Sequence, residues 1–244
     1  MSPPLLPSPL SFLAAGVSIV DAIRTTDAVG YLCLGLLAAI SVVSGYYMFA
    51  KLASIRAASA ESKDFIAECH ESHKSLRDAY KSTKHYPNSP LAALLREAYL
   101  EYESEIAANS KTPLSLDQRL RVGRLSVESA LERTIAAEMR RLESKLIWLA
   151  TSATLAPFIG LFGTVWGVLG VFQAAANEGS AGLATIAPGI STALVTTVFG
   201  LLVAIPASAM YNWLTSQVNY LASQMDSFAH ELSNVFQRQL LRRD

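Results

Sequence analysis

Residues 156–167, Ala-Pro-Phe-Ile-Gly-Leu-Phe-Gly-Thr-Val-Trp-Gly, lie within the most apolar part of this 244-residue chain. Around them, the eighty residues from Leu146 to Met225 carry a single charged side chain, Glu178. Charged residues make up 16% of the whole chain, against roughly 25% in soluble domains. Within the quoted stretch and just after it, glycine recurs at helical spacing, at Gly160, Gly163, Gly167 and Gly170. Since such residues share one helix face, the pattern predicts an intramembrane helix packed closely against other helices.

Three stretches are long and apolar enough to cross a bilayer, which takes about 20 residues of helix. They are residues 28–50, 146–176 and 183–213. The second and third stretches are separated only by the short polar segment 177–182, so they are expected to form an antiparallel hairpin. The sequence therefore predicts an all-α membrane protein with three transmembrane helices.

The distribution of basic residues predicts the orientation. Sixteen of the twenty Lys and Arg residues fall between Lys51 and Lys145, and three more lie in the carboxyl-terminal tail. Basic loops stay in the cytoplasm, so the loop 51–145 and the tail 214–244 are predicted to be cytoplasmic. The turn 177–182 and residues 1–27 then face the periplasm. The first 23 residues hold no Lys or Arg, so they lack the basic start of a signal peptide. Residues 10–23 are predicted to form a short interfacial helix.

The cytoplasmic parts are predicted to be long helical extensions of the spans. A first helix is expected over 51–85 and a second over 91–108, with proline-containing breaks after each. A third should begin near Ser115 and continue unbroken into the second span, to about residue 174, because its apolar stripe does not lapse. The third span is expected to continue as a helix into the tail.

No residue pattern in the chain indicates an enzyme, since nucleophile motifs, phosphate loops and paired acid–base groups are missing from the sequence. The two cysteines and four histidines show no metal-ligand spacing. We therefore predict no cofactor and no metal. The formal net charge is zero and gives no argument for a nucleic-acid partner.

The intramembrane hydroxyls are the candidate functional residues. They are Thr164 in the second span and Thr192, Thr196 and Thr197 in the third. Buried threonines either hydrogen-bond to backbone and join helices, or line a polar path as a group, and both interpretations stay open. The residues expected to shape and pack the helices are Gly160, Gly163, Gly167, Gly170, Gly189, Pro157, Pro188 and Pro206.

A set of motifs in the hairpin resembles the ExbB/TolQ/MotA proton-channel family, most closely its ExbB and TolQ branches. The resemblance covers about 70 residues: 156–167, then Ala187-Pro188-Gly189-Ile190, Ala193-Leu194, Thr197, Gly200-Leu201, Ala204-Ile205-Pro206-Ala207 and Tyr211-Asn212.

This resemblance implies a stator-type proton-channel subunit of the bacterial inner membrane, which converts proton-motive force into mechanical work on the envelope. It implies a homo-oligomer, expected to be a pentamer, around a small single-span ExbD- or TolR-type subunit that supplies an intramembrane aspartate. A TonB- or TolA-like protein spanning the envelope would receive the work, for outer-membrane import or envelope integrity. Thr164 and Thr197 match family threonines that face the pore, and protons are the expected ion.

One position departs from the pattern. Between Ile190 and Ala193 the ExbB and TolQ branches have alanine and then glutamate, whereas this chain has Ser191-Thr192. The presumed pore therefore has no titratable group of its own, and a conducted proton needs an acid from the partner. The MotA branch also lacks this glutamate. The alternative is a non-conducting membrane scaffold that keeps the fold.

Overall fold

The computed structural model describes residues 26–71, 75–109, 116–178 and 183–242, and its regular structure in these ranges is entirely helical. In chain order, the α-helices are α1 (Ala28–Glu71), α2 (Leu76–Ser82), α3 (Pro90–Asn109), α4 (Leu116–Glu143), α5 (Leu146–Glu178) and α6 (Leu183–Arg242). A 3-10 helix, Thr83–His85, follows α2. The predicted interfacial helix at 10–23 lies outside the described residues, as does most of the turn at 177–182.

The chain divides into two compact units. The first, here the membrane unit, holds the described residues up to Tyr47 together with Trp148–Met210. The second, here the helical unit, holds Met48–Ile147 and the described residues from Tyr211 onward. In the described residues, three helices (α1, α5 and α6) are long and apolar enough to cross a membrane, which confirms the prediction of three candidate spans.

In the membrane unit, α5 and α6 pack against each other in opposite directions. Gly200 lies beside Ala156, Gly160 beside Thr196 and Thr197, and Gly167 beside Ala193. Residue numbers rise along one helix as they fall along the other, so the two spans form the predicted hairpin. The core of the membrane unit includes Leu37 of α1 together with Ala156, Val203 and Ala204 of the hairpin.

Large apolar side chains cover much of the exposed surface of α5 in this unit. They are Phe158, Leu161, Phe162, Val165, Leu169 and Phe172. A soluble protein rarely exposes an apolar surface of this kind, so it fits a helix surrounded by lipid or by other membrane helices. At the start of α5, the ring of Trp148 stacks on that of Tyr47, with centroids 6.0 Å apart.

The helical unit has an apolar core of its own, in which Phe65, Leu94, Leu142, Met225 and Phe236 are buried. Helix α3 begins where proline at the first helical position favours a start. The Ser89 hydroxyl accepts from the amide of Ala92 (3.2 Å) and bonds to the hydroxyl of Ser62 on α1 (3.0 Å). This start ties α3 to α1, and its bounds agree with the predicted helix over 91–108.

The prediction of one helix over 51–85 is wrong. Helix α1 ends at Glu71, and a separate helix, α2, begins at Leu76. Ser75 is extended (φ −62°, ψ 154°), and its hydroxyl accepts from the amide of Asp78 as an N-cap. A serine that satisfies a free amide in this way starts a new helix, and apolar spacing alone does not reveal it.

The prediction of one unbroken helix from 115 to 174 is also wrong. Helix α4 ends at Glu143, α5 begins at Leu146, and Lys145 between them has a φ of 68°. This left-handed backbone stops an α-helix. The apolar stripe does continue through the break, because Leu142, Leu146 and Leu149 are all buried, which is why the sequence pattern showed no interruption.

Two carboxylates of α4 have shifted pKa values of opposite sign. Burial raises the pKa of Glu138, although Arg141 and Arg96 act against the shift. The Arg141 Nε lies 2.9 Å from the Glu138 Oε2 as an ion pair, but not in hydrogen-bonding geometry. In Glu128, the hydrogen bond from Arg124 lowers the pKa, helped by another from Ser233 and opposed by desolvation.

Candidate functional site

The α5–α6 contact is close because glycines face it. A methyl group at Gly160 would lie 2.8 Å from the carbonyl oxygen of Thr196 and 3.0 Å from the Cα of Thr197. A methyl at Gly200 would lie 2.7 Å from the carbonyl oxygen of Ala156. These neighbours are backbone atoms, which cannot rotate away. Any larger residue would therefore force the helices apart.

Two further glycines of α5 face side chains of α6. A methyl at Gly163 would lie 2.8 Å from the Thr196 hydroxyl oxygen, and one at Gly167 would lie 2.8 Å from the Ala193 Cβ. A methyl at Gly170, in contrast, would meet no atom within 4 Å. The close approach expected for all four glycines is therefore found at three of them in the described chain. Gly170 borders an open groove instead.

Three threonine hydroxyls meet at this contact, and we call Thr164, Thr196 and Thr197 the hydroxyl cluster. The hydroxyl of Thr164 bonds with that of Thr197 and lies 3.3 Å from that of Thr196. Thr164, Thr196 and Thr197 each lie within hydrogen-bonding distance of the Gly160 carbonyl oxygen, at 3.1, 3.1 and 3.2 Å. The absence of a side chain at Gly160 is what lets hydroxyls from both helices reach this oxygen.

Each hydroxyl of the cluster carries one proton and can donate one hydrogen bond. The three hydroxyls differ in the acceptor that receives it. Thr196 is 2% exposed and donates to the Ala193 carbonyl at 2.8 Å, its shortest bond. Thr164 and Thr197 are half-buried, and either can be the donor in their shared bond. One of the two then donates to the other, and the other can donate to Gly160. Rotation of the two hydroxyl groups can exchange the donor and the acceptor of the hydrogen bond between Thr164 and Thr197, without movement of the backbone.

Thr192, the remaining candidate threonine, lines a groove next to the cluster. The groove has a volume of about 350 Å³ and is also bordered by Gly163, Gly167, Gly170 and Thr196. Gly189 and Asp27 also line the groove. The structure thus brings Thr164, Thr196 and Thr197 together and places Thr192 on the adjoining surface.

The predicted prolines have no common role in this geometry. Pro157 lies inside α5, and Pro206 is an exposed residue within α6. Pro188 is also helical, but its side chain lies outside the described part of the structure. The feature that sequence reasoning missed is the Gly160 carbonyl, the acceptor shared by the cluster. Every residue has a backbone carbonyl, so the sequence does not distinguish this one. Only the spacing of the glycines indicated that α5 is approached closely here.

The hydroxyl cluster can order hydrogen bonds or water but includes no acid, and Asp27 is an acidic residue of the adjoining groove. Within Leu146–Met225 the sequence has only Glu178 as a titratable carboxyl. In the described residues, no three His, Cys, Asp or Glu side chains are grouped so that they could hold a metal ion. Its chemistry is therefore that of hydroxyls and carbonyls on two tightly packed helices.

Comparison with known proteins gives matches over this region. Residues 102–227 match the family model described as the MotA/TolQ/ExbB proton channel family. The Tol-Pal system protein TolQ of Haemophilus influenzae is 40% identical over 110 residues, which are 45% of this chain and 48% of TolQ. The TolQ of Pseudomonas aeruginosa is 40% identical over 114 residues, 47% and 49% of the two chains.

The biopolymer transport protein ExbB of Neisseria gonorrhoeae is 35% identical over 161 residues, 65% of this chain and 70% of ExbB. The matched part of this chain thus spans about half the length of the two TolQ proteins and more than two thirds of the ExbB protein. The family match includes all four candidate threonines.

Proposed function

The chain belongs to the MotA/TolQ/ExbB proton channel family, and we propose that it is the stator-type channel subunit of an ExbB- or TolQ-like motor. In this role it couples proton-motive force to mechanical work on the cell envelope, for outer-membrane import or for envelope integrity. One charge that crosses 100 mV releases about 2.3 kcal/mol. Several transfers must therefore be combined for a sizeable mechanical step.

The hydroxyl cluster is the observation that carries this proposal. Thr164 and Thr197 form a hydrogen-bonded pair whose direction can reverse, and the shared acceptor at Gly160 keeps both near one point. Such a pair can accept a proton on one side and donate one on the other. We assign Thr164 and Thr197 to the proton path. Thr196 is assigned to packing between the two helices, because it is buried, donates to the Ala193 carbonyl of its own helix and lies 3.1 Å from the Gly160 carbonyl of α5.

The acid that exchanges the proton comes from a partner in this proposal. Thr192 stands where the ExbB and TolQ pattern has glutamate, and a hydroxyl does not titrate near neutral pH. A small single-span ExbD- or TolR-type subunit with an intramembrane aspartate supplies the missing carboxyl. The chain itself forms a homopentamer around that subunit, and a TonB- or TolA-like protein receives the work.

The proposed topology places residues 1–27 and 177–182 in the periplasm, and 51–145 and 214–244 in the cytoplasm, with the chain in the bacterial inner membrane. The charge distribution supports this orientation, because nineteen of the twenty Lys and Arg residues lie in the two segments assigned to the cytoplasm. Cysteine accessibility from the two sides of sealed vesicles tests it directly.

The decisive experiment is proton flux into liposomes that contain the chain and a co-expressed ExbD- or TolR-type subunit. Thr164→Val and Thr197→Val keep the side-chain shape and remove the hydroxyl, so flux should fall by about tenfold or more while native mass spectrometry still finds five copies. Thr154→Val is the matched control, since Thr154 is exposed and its hydroxyl bonds only within α5, to Ala150. Normal flux in Thr197→Val contradicts the assigned path.

A non-conducting scaffold is the second candidate function. Two observations favour it: the chain has Thr192 in place of the glutamate, and each hydroxyl of the cluster already has a backbone acceptor. The scaffold predicts assembly with no proton flux in the wild-type complex. The same liposome measurement therefore separates the two functions.

A further inference from the structure

The break between α4 and α5 does not coincide with a glycine or a proline, since residues 140–150, Arg-Arg-Leu-Glu-Ser-Lys-Leu-Ile-Trp-Leu-Ala, contain neither. Lys145 nevertheless has a φ of 68°, a conformation that an L-residue other than glycine rarely adopts. One contact at the break is local, because the Ser144 hydroxyl donates to the carbonyl oxygen of Arg141 at 2.7 Å. A second contact comes from elsewhere in the helical unit.

Lys51 of α1 makes that contact. Its Nζ donates to the carbonyl oxygens of Arg141 (3.1 Å) and Leu142 (2.9 Å), and it lies 3.3 Å from the Ser144 hydroxyl. In an unbroken α-helix the carbonyl of residue i accepts the amide of residue i+4. The two carbonyls bound by Lys51 are therefore the ones that would accept the amides of Lys145 and Leu146 in a continuous helix.

The surroundings of Lys51 make this a costly arrangement for a lysine. The residue is only 7% exposed, and its three acceptors are uncharged oxygens. Burial lowers the pKa of Lys51, and the nearby Lys145 and Arg141 lower it further. The negative end of the α4 dipole is the feature that attracts the ammonium group.

A second cation secures the same turn of α4. Arg141 Nη2 donates to the carbonyl oxygen of Asn88, at 2.8 Å, and its Nε pairs with Glu138. Asn88 is in turn bound by Glu61 of α1, through its amide and its side chain at 2.7 and 2.6 Å. These contacts fix the last turn of α4 in place, and Lys51 binds it at the two carbonyls through which the helix would continue.

We propose that Lys51 is a latch that keeps α4 and α5 separate, and that without it the two helices join through residues 144–145 into one. The segment has two states. In the latched state, Lys51 occupies the carbonyls of Arg141 and Leu142. In the continuous state, the amides of Lys145 and Leu146 bind them, and Lys145 returns to a right-handed backbone. The latch controls the start of α5, the helix that carries Gly160 and Thr164, and the proposal does not depend on ion conduction.

Hydrogen exchange of the full-length protein in lipid nanodiscs tests the latch, read by mass spectrometry over residues 144–148. In Lys51→Met, the continuous helix should slow the exchange of the Lys145 and Leu146 amides by about tenfold or more. Adding Lys145→Gly, which favours the left-handed backbone, should restore wild-type exchange. Lys63→Met is the matched control, because Lys63 is an exposed residue of the same helix.

Unchanged or faster exchange in Lys51→Met overturns the latch, since it means that Lys51 only packs at the end of α4. A double variant as protected as the single variant also overturns it. If Lys51→Met does not fold, Lys145→Val decides alone, because a β-branched residue disfavours a positive φ. That variant should slow exchange at 145–146 and expose Lys51 to acetylation by a water-soluble reagent, and wild-type values for both readouts contradict the proposal.

Discussion

Substitution of Gly160 by alanine tests the geometry of the hairpin most directly. The added methyl group would lie 2.8 Å from the Thr196 carbonyl oxygen, 3.0 Å from the Thr197 Cα and 3.2 Å from the Gly200 Cα. All three neighbours are backbone atoms of α6. The strain can therefore be relieved only by moving α6 away from α5, and that movement also separates the Thr196 and Thr197 hydroxyls from the Gly160 carbonyl.

The size of the effect follows from three contributions. Overpacking of a close contact costs about 1–3 kcal/mol. Loss of the interhelical hydrogen bond from Thr197 to Gly160 adds about 0.6 kcal/mol. Alanine regains about 1 kcal/mol over glycine inside a helix. The net loss for Gly160→Ala is then about 0.5–2.5 kcal/mol, which corresponds to a fall in Tm of about 2–8 °C for a chain of this length.

Gly170→Ala is the matched control, because a methyl group there meets no atom within 4 Å. Gly170→Ala makes the same chemical change in the same helix and has the same gain in helix propensity. Its Tm should therefore be unchanged or slightly raised. Thermal unfolding of both variants in the same mild detergent, followed by intrinsic tryptophan fluorescence, gives the comparison. If the two variants have equal Tm values, the close approach at Gly160 does not stabilise the hairpin and our account of the site is wrong.

Further substitutions test the site and the helical unit. Thr197→Val should lower proton flux without loss of the oligomer, whereas Thr154→Val should not, and equal flux in both would contradict the assigned path. Because burial raises the pKa of Glu138 above its unfolded value of 4.5, its contribution to stability is full below that pH and is lost as pH rises through the folded pKa. Glu138→Gln should therefore raise the free energy of unfolding at pH 7.5 and weaken its increase on acidification, as measured by urea unfolding at several pH values. Glu128→Gln should do the opposite at pH 7.5, because the pKa of Glu128 is lowered in the fold. Ser89→Ala removes the cap of α3 and should cost about 1–2 kcal/mol in the same assay, while a cost near zero would show that the cap is dispensable.

Much of the architecture could be predicted from the sequence because it depends on periodic burial. The three spans follow from apolar length, and the hairpin follows from the short segment between Ala176 and Leu183. Glycine spacing predicted the face of α5 that meets α6, and three of the four glycines have close contacts there. The chemical type of the cluster, hydroxyls with no acid among them, also follows from the residues between Leu146 and Met225.

The details of the site and of the helix ends could not be predicted in this way. The gathering of Thr164, Thr196 and Thr197 around one carbonyl depends on the register between two helices, and residue spacing within each helix does not determine that register. The start of α2 depends on the hydroxyl of Ser75, which caps a helix in only some of the contexts where serine occurs.

The sequence by itself determined that this protein is helical, has three stretches that can cross a membrane and carries hydroxyls where its hairpin helices meet, since these properties depend on local composition and periodicity. The tertiary structure alone decided that three hydroxyls share the carbonyl of Gly160 and that Lys51 binds the end of α4. Both depend on residues distant in sequence, with 90 residues separating Lys51 from Arg141. Such contacts arise only when the chain has packed, because backbone carbonyls are identical in every residue and become distinct only through what the fold places beside them.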